Sequence, residues 1–357
     1  MITSKIIQTW NLDIKNIICN NIDWKKLGGC RILVTGANGF LGGYIVRLLL
    51  SLNNLKIVEK PIKVVGLVRN IYKSQEQLID VINDPKFELI EWNLCNLSIP
   101  KIGSCDYIFH SASQASPKYY KKDPLGTLLP NTIGTESILR AQYEQTKNPK
   151  GFLFISSAEV YGSNLQKTLL SESDYGIVDP AALRSCYAES KRLGENICVS
   201  WFHQYKMPTY IVRPFHTYGP GINFNDGRVF ADFVSNVVNN QNIQMNSDGK
   251  QRRAFCYVSD AIAGFFTVLL KGQHATPYNI GNPSAALSIM DLAEMLIQLY
   301  PEKGIEIKKT FSQNKDNYLQ STYDSVVPDI SAATSLGWEP KVLPKDGFLR
   351  MIKSYLI

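Results

Sequence analysis

The sequence is poor in the residues that build metal and disulfide frameworks. Its four histidines (110, 203, 216, 274) are scattered without ligand spacing, and its seven cysteines (19, 30, 95, 105, 186, 198, 256) form no C-x-x-C pair. No metal centre is expected, and the thiols are read as reduced, in a cytoplasmic protein. Charge is sparse: only 19% of the 357 residues are Asp, Glu, Lys or Arg, against 45% apolar residues. That balance excludes a disordered chain. No apolar run reaches the ~18 residues of a membrane span. The opening stretch, MITSKIIQTWNLDIKN, lacks the apolar core of a signal peptide. Repeats and low-complexity tracts are absent. The net charge is +7, but the bases fall in short groups such as DWKKLGG, YYKKDP and GKQRRAF. The charge admits nucleic acid, a membrane surface or an anionic small substrate, but without a basic stripe the dispersed bases read as a solvated surface, and neither nucleic acid nor a membrane is the expected partner.

What is present is an alternation. RILVTG (31–36), KVVGLV (63–68), FELIEW (87–92), DYIFHSA (106–112) and GFLFISS (151–157) read as strands, with helical stretches between most of them, one over 124–146. Such alternation predicts an α/β fold with a Rossmann-like doubly wound parallel sheet. The chain is long enough for two lobes. Residues 1–29 read as a polar helical extension and 30–215 as the dinucleotide-binding domain that carries the catalytic residues. Residues 216–357 read as a smaller, mixed α/β substrate lobe. Within that lobe VPDISAATSLGWEP reads as a helix bounded by prolines.

VTGANGFLGG places Gly36, Gly39 and Gly42 in a G-x-x-G-x-x-G pattern between a strand and a helix start, with Phe40 and Leu41 inside the turn. Glycines let backbone approach a pyrophosphate whose charge the helix N-terminus favours; a plain tight strand–helix turn uses them too. The second strand ends in GLVRN, where an NAD enzyme often carries an acid. Arg69 there suits a 2′-phosphate or stacks on adenine, so NAD is the expected cofactor and NADP stays open. Asn93 in EWNLCN, with Leu94 beside it, follows the third strand, where it bonds an adenine edge or caps a turn.

RSCYAESKR carries Tyr187 and Lys191 four apart, on one helical face. A lysine ammonium ~4 Å from the phenol oxygen favours the phenolate by an order of 4 kcal/mol at an effective dielectric of ~20, before desolvation. Tyrosinate then takes a proton from a sugar hydroxyl as hydride leaves the carbon. FISSAEVYG (154–162) sets Glu159 just after an apolar run, a costly place for a carboxylate without a partner or a reaction.

Together TGANGFLG, HSAS, NTIGT, SSAEVYG, YAESK, RPFHTYGPG, RRAFCYVSDA and YNIGNP resemble the extended short-chain dehydrogenases/reductases of the nucleotide-sugar epimerase/dehydratase group, over roughly residues 30–345. ASPKYYKKDP, RSCYAESKR, TYGPGINFNDGRV and DGKQRRAFCYVSD are similar to segments of the UDP-glucuronate decarboxylases within it. The resemblance implies Ser157, Tyr187 and Lys191 as the catalytic set. It sets Arg253 near the sugar or its phosphates, Arg228 on the nucleotide, and Ser116 and His216 on the substrate side. Asn131 would buttress the site, Ser111, Ala112 and Ser113 would line the nicotinamide side, and Pro214 would lie near the carboxamide. Plainer roles exist: Ser157 as a turn cap, Glu159 as a structural partner of a buried arginine, Asn131 satisfying buried backbone, the arginines in surface ion pairs, His216 packed or titrating near neutral pH.

By the same resemblance, Tyr187 and Lys191 oxidise a sugar 4-hydroxyl to a ketone. A 4-epimerase would carry an uncharged residue at position 159, and a 4,6-dehydratase an Asp–Glu pair of which Ala158 lacks the first member. A decarboxylase needs no acid for a leaving hydroxyl, because the 4-ketone places the C6 carboxylate β to a carbonyl; Glu159 with Arg253 fits this. Ala158 stands where such decarboxylases usually have serine, and His216 where they usually have asparagine. Decarboxylation of UDP-glucuronate by a carboxy-lyase is the leading expectation. A 4-epimerase, a 4,6-dehydratase, and a binding protein sensing dinucleotide or nucleic acid stay open. A homodimer is also implied, through the helix over 124–146 and the one carrying Tyr187, with Leu128, Ile138 and Leu193 at the contact.

Overall fold

The computed structural model describes residues 2–163, 167–309 and 325–356. The chain opens with helix α1 (Ser4–Ile18), capped by the Thr3 hydroxyl and burying Ile6, Trp10, Asp13, Ile14 and Ile17. The extension expected to be polar is therefore amphipathic, with one face in the core.

Strands β1 (Arg31–Thr35), β2 (Lys63–Val68), β3 (Phe87–Glu91), β4 (Tyr107–His110) and β5 (Gly151–Ile155) follow. Between them run α2 (Phe40–Asn54), α3 (Ile71–Gln77), α4 (Pro117–Lys122), α5 (Pro124–Asn131) and α6 (Ile133–Gln145). Next come β6 (Leu169–Leu170), α7 (Ser185–Tyr205), β7 (Thr209–Pro214), β8 (Thr217–Tyr218) and α8 (Val229–Val238). After β9 (Ile243–Met245), β10 (Arg252–Ala254), β11 (Cys256–Tyr257) and α9 (Val258–Lys271), the chain returns as β12 (Pro277–Ile280). The result is a seven-stranded sheet ordered β12-β7-β5-β4-β1-β2-β3, every pair parallel. This is the expected doubly wound α/β sheet. A division at residue 215 leaves β12 and α9 in the C-terminal segment, since Pro277–Ile280 pair with Ile211–Pro214.

The strands other than the edge strand β3 are buried on both faces, as parallel strands between helix layers are. Alternate β1 residues feed two cores, Ile32 and Val34 on one side and Leu33 on the other. The chain ends with β13 (Ala286–Ser288), α10 (Ile289–Gln298), β14 (Ile307–Lys309), β15 (Ser325–Pro328), α11 (Ser331–Ser335) and α12 (Pro344–Tyr355). A second sheet, β13-β10-β15-β6, presents Arg253 from β10.

Two helices differ from expectation. The stretch 124–146 is broken at Thr132 (φ −114°, ψ −85°). Pro130 has no N–H for the turn before it, and its carbonyl bonds the His110 ring at 3.1 Å. In VPDISAATSLGWEP only Ser331–Ser335 is helical, because Val327 and Pro328 pair with β6 and Gly337 takes φ +86°. Among the described residues, no helix is long and apolar enough to cross a membrane, and no group of His, Cys, Asp or Glu is placed to hold a metal ion.

Candidate active site

The sheet order reverses between β1 and β4, and the crevice outside the strand ends at such a point is where ligands bind in this architecture. Thr35 and His110 close those two strands side by side. The Thr35 hydroxyl lies 3.0 Å from His110 Nδ1 and accepts the N–H of Ser111 and of Ala112, each at 3.1 Å. Burial pulls the His110 imidazole down to about 3, so it stays neutral and donates through Nε2 to Pro130.

Gly36 turns the chain with φ +65°, and a Cβ there would lie 2.8 Å from Ala112 Cα. At Gly42 a Cβ would overlap the Gly36 carbonyl. Gly39 is exposed and starts α2 with no side chain capping the first turn and no acid in it. The N–H groups of Phe40, Leu41 and Gly42 therefore lack intrahelical acceptors, an arrangement suited to an anion. Ser113 Oγ is buried without a partner. Glycine cradle, bare helix start and orphaned hydroxyl fit a dinucleotide. Arg69 is exposed at the end of β2. Asn93 turns its side-chain oxygen to the Cys95 N–H at 3.1 Å, the turn-capping role. Leu94 is buried in the core against Gly134 rather than set at the surface.

Tyr187 and Lys191 rise from the first turns of α7. The Tyr187 ring stacks on Tyr120, centroids 5.2 Å apart and planes at 15°. Burial pushes the phenol up to about 12, the hydrogen bond with Ser157 works against that, and Glu159 adds to it. The expected pull from Lys191 toward phenolate is not among these influences. The ammonium donates to the Ile155 carbonyl at 2.6 Å and stands 5.8 Å from the Tyr187 ring centroid. Burial pulls Lys191 itself down to about 7, opposed by Glu195. Ser157 accepts the Glu159 N–H at 3.2 Å, so it is a turn cap and a phenol partner at once. Asn131, fully buried, donates to Thr127 O and Ser190 Oγ at 3.0 Å each, and Ser190 Oγ donates to Tyr187 O. Asn131 thus braces the turn that carries Tyr187.

On the substrate side, Glu159 holds Arg184 in a bidentate pair, Nη1–Oε2 3.0 Å and Nη2–Oε1 3.3 Å. Pairing with an arginine is the plainer role open to Glu159; Arg253 was expected to act alongside it on the substrate. Arg253 lies in β10, largely buried, and donates to Arg252 O and Gln251 Oε1. Arg228 pairs with Asp226, whose carbonyl accepts the Ser116 hydroxyl. His216 packs edge-on against Phe255, its Nδ1 buried without a partner. Burial, with Arg253 and Arg228 nearby, pushes the imidazole well below its ordinary range, which fits the packed alternative and not the one that titrates near neutral pH. Pro214 ends β7, half-buried.

Two residues of this site carried no assignment. Arg184 sits three before Tyr187, and that spacing on one helix end was the available signal. Glu195, four after Lys191, bonds Ser156 Oγ at 2.5 Å and Arg213 at 2.7 and 2.9 Å. Its i,i+4 relation to the lysine was equally readable.

A model of the NAD dependent epimerase/dehydratase family matches residues 32–281. UDP-glucuronic acid decarboxylase 6 of Arabidopsis thaliana is 34% identical over 326 residues, 91% of this chain and 88% of that one. UDP-glucuronic acid decarboxylase 1 of Xenopus tropicalis is 32% identical over 325 residues, 90% of this chain and 71% of that one. Among solved structures, a UDP-glucuronic acid 4-epimerase from Bacillus cereus, in complex with UDP-glucuronic acid and NAD, superimposes with a TM-score of 0.75. It is 23% identical, covering 91% of this chain and 98% of that one, a likeness of fold.

Proposed function

We propose, from the premise that the chain belongs to the NAD dependent epimerase/dehydratase family, that it decarboxylates UDP-glucuronate through a 4-keto sugar. The observation that carries this is a carboxylate, Glu159, held by Arg184 within the same site as the Ser157–Tyr187 pair. NAD, when bound, accepts hydride from C4 and returns it, and its cationic ring favours the Tyr187 phenolate.

The chain's own groups do the rest. Tyr187 takes the 4-hydroxyl proton as C4 is oxidised, with Ser157 holding the phenol oxygen in place. Lys191, held by the Ile155 carbonyl on the same helix face as the phenol, completes the catalytic set. The C6–C5 bond of the β-keto acid then breaks, carbon dioxide leaves, and the electron pair delocalises into an enolate across C5, C4 and O4. A proton supplied by water returns to C5 with Glu159 assisting, and reduction at C4 restores the hydroxyl as Tyr187 gives its proton back. Arg228, Arg253 and Ser116 supply the substrate lobe's contacts to the diphosphate and sugar. Ser111, Ala112, Ser113 and Pro214 line the nicotinamide side, and Arg69 stacks on adenine with Asn93 near its edge.

The 4,6-dehydratase reading loses support from Ala158, which offers no second acid. Dimerisation draws support from the exposed Leu125 and Leu193 on α5 and α7; Leu128 is half-buried, and Ile138, fully buried in the core, is removed from the expected contact. Seven free thiols support a cytoplasmic setting, where the product would feed polysaccharide synthesis. The test is UDP-glucuronate labelled at C6: labelled carbon dioxide and a UDP-pentose are expected, and a UDP-hexuronate isomer without gas would make the protein a 4-epimerase.

A further inference from the structure

We propose that Arg184 is the residue that admits a sugar bearing a carboxylate to this site, by neutralising Glu159. The inference rests on the UDP-glucuronate reading, since it concerns what that substrate meets on entry. A C6 carboxylate delivered to Tyr187 arrives beside Glu159, because both side chains belong to the same cluster: the Tyr120 phenol, stacked on Tyr187, feels Glu159, Arg184 and Arg228 together. Two carboxylates at close range repel unless a cation lies between or behind them.

Arg184 is the cation built for this. Both of its terminal nitrogens face both Glu159 oxygens, and only a planar guanidinium matches a carboxylate in that way. The side chains are 16% and 24% exposed, so salt screens the pair weakly. Arg228 is engaged by Asp226, and Arg253 comes from the second sheet with Gln251 and Arg252 as partners. Arg184 also starts the helix that carries Tyr187, which fixes the neutralised Glu159 relative to the phenol. The Ser157 hydroxyl, taking the Glu159 N–H, holds the other end of that residue. Arg184 is thus a positioning and specificity residue, acting on substrate choice through Glu159.

The experiment uses NAD-loaded protein carrying Tyr187→Phe, so that no turnover interferes, and measures UDP-glucuronate and UDP-glucose binding by calorimetry. Arg184→Gln should weaken UDP-glucuronate ~10–50-fold and UDP-glucose less than ~3-fold, because only the former brings a second carboxylate to Glu159 once the guanidinium is gone. Arg184→Lys, which keeps the charge and loses the fork, should shift the ratio in the same direction by less, and serves if the Gln variant folds poorly. Adding Glu159→Gln to Arg184→Gln should restore UDP-glucuronate binding to within ~3-fold of its starting value, an effect that a merely structural arginine would not produce. Equal weakening of both sugars in both variants, or no recovery in the double variant, overturns the proposal. If unsubstituted protein releases no carbon dioxide while the Arg184 variants lose their preference for the charged sugar, the reaction is wrong and Arg184 stands. If carbon dioxide is released and the preference survives loss of Arg184, Arg184 alone is wrong.

Discussion

Two carboxylates lie deep in this molecule with partners of different kinds. Glu195, on the catalytic helix, meets the Arg213 guanidinium at 2.7 and 2.9 Å and the Ser156 hydroxyl. Asp13, on the N-terminal helix, meets two phenols, Tyr44 at 2.9 Å and Tyr257 at 3.0 Å, while Arg350 stays 3.7 Å away. Burial pushes the Asp13 carboxyl up to about 6, and the phenols only partly oppose it. Glu195 instead acts outward, countering the burial that pulls Lys191 down. Depth alone does not set what a buried acid does; whether its partner brings a full charge decides. The first cluster lies against Lys191 in the candidate site. The second ties α1 to α2, β11 and α12, near Trp10, which donates to Pro220 O and covers Gly221 in the segment leading to Arg228.

Removing the proton chemistry separates the two clusters most strongly. Tyr187→Phe should cost turnover at least ~10³-fold and leave thermal stability almost unchanged, by activity assay and calorimetry side by side. Turnover within tenfold of the unsubstituted protein would end the general-base role. Next in size is Glu195→Gln, which leaves Arg213 buried without its counter-ion and should cost ~3–5 kcal/mol in urea unfolding. A loss under ~1 kcal/mol would make the pair resemble the Asp13 cluster after all.

Lys191→Met sharpens the contrast through pH. Lys191 holds its proton to about 7 in the folded chain and to 10.5 ordinarily. Between those values the unfolded chain binds more protons, so stability rises with pH. The unsubstituted protein should gain ~2 kcal/mol between pH 7 and 8.5 from this group, a rise the methionine variant should lack. The smallest effect belongs to Asp13→Asn. Asp13 titrates near 6 folded and 3.8 ordinarily, so its stabilising contribution is complete below 3.8 and lost as pH rises through 6. The asparagine variant should therefore be ~1–2 kcal/mol more stable at pH 8, with the advantage gone near pH 4. An asparagine variant less stable at pH 8 would show that Arg350 outweighs the desolvation.

The cradle of Gly36, Gly39 and Gly42 was readable because close backbone approach demands glycine whatever surrounds it. The Tyr187–Lys191 pair was readable because one helix fixes both. The meeting of Glu159 with Arg184, twenty-five positions apart, was not, nor was the transfer of the Lys191 ammonium to the Ile155 carbonyl. The break at Thr132 was only half hidden: Pro130 marks it in the sequence, whereas the His110 ring that donates to the Pro130 carbonyl comes from β4.

Spacing within single elements, read along the chain, determined the fold class and singled out the glycine loop and the tyrosine–lysine pair as candidates. Which cation each acid meets, and whether burial or charge governs each proton, was decided only when parallel crossovers laid β5, α7 and the second sheet side by side. Periodicity is a property of one segment, whereas desolvation and ion pairing depend on what the remaining segments bring within a few ångströms.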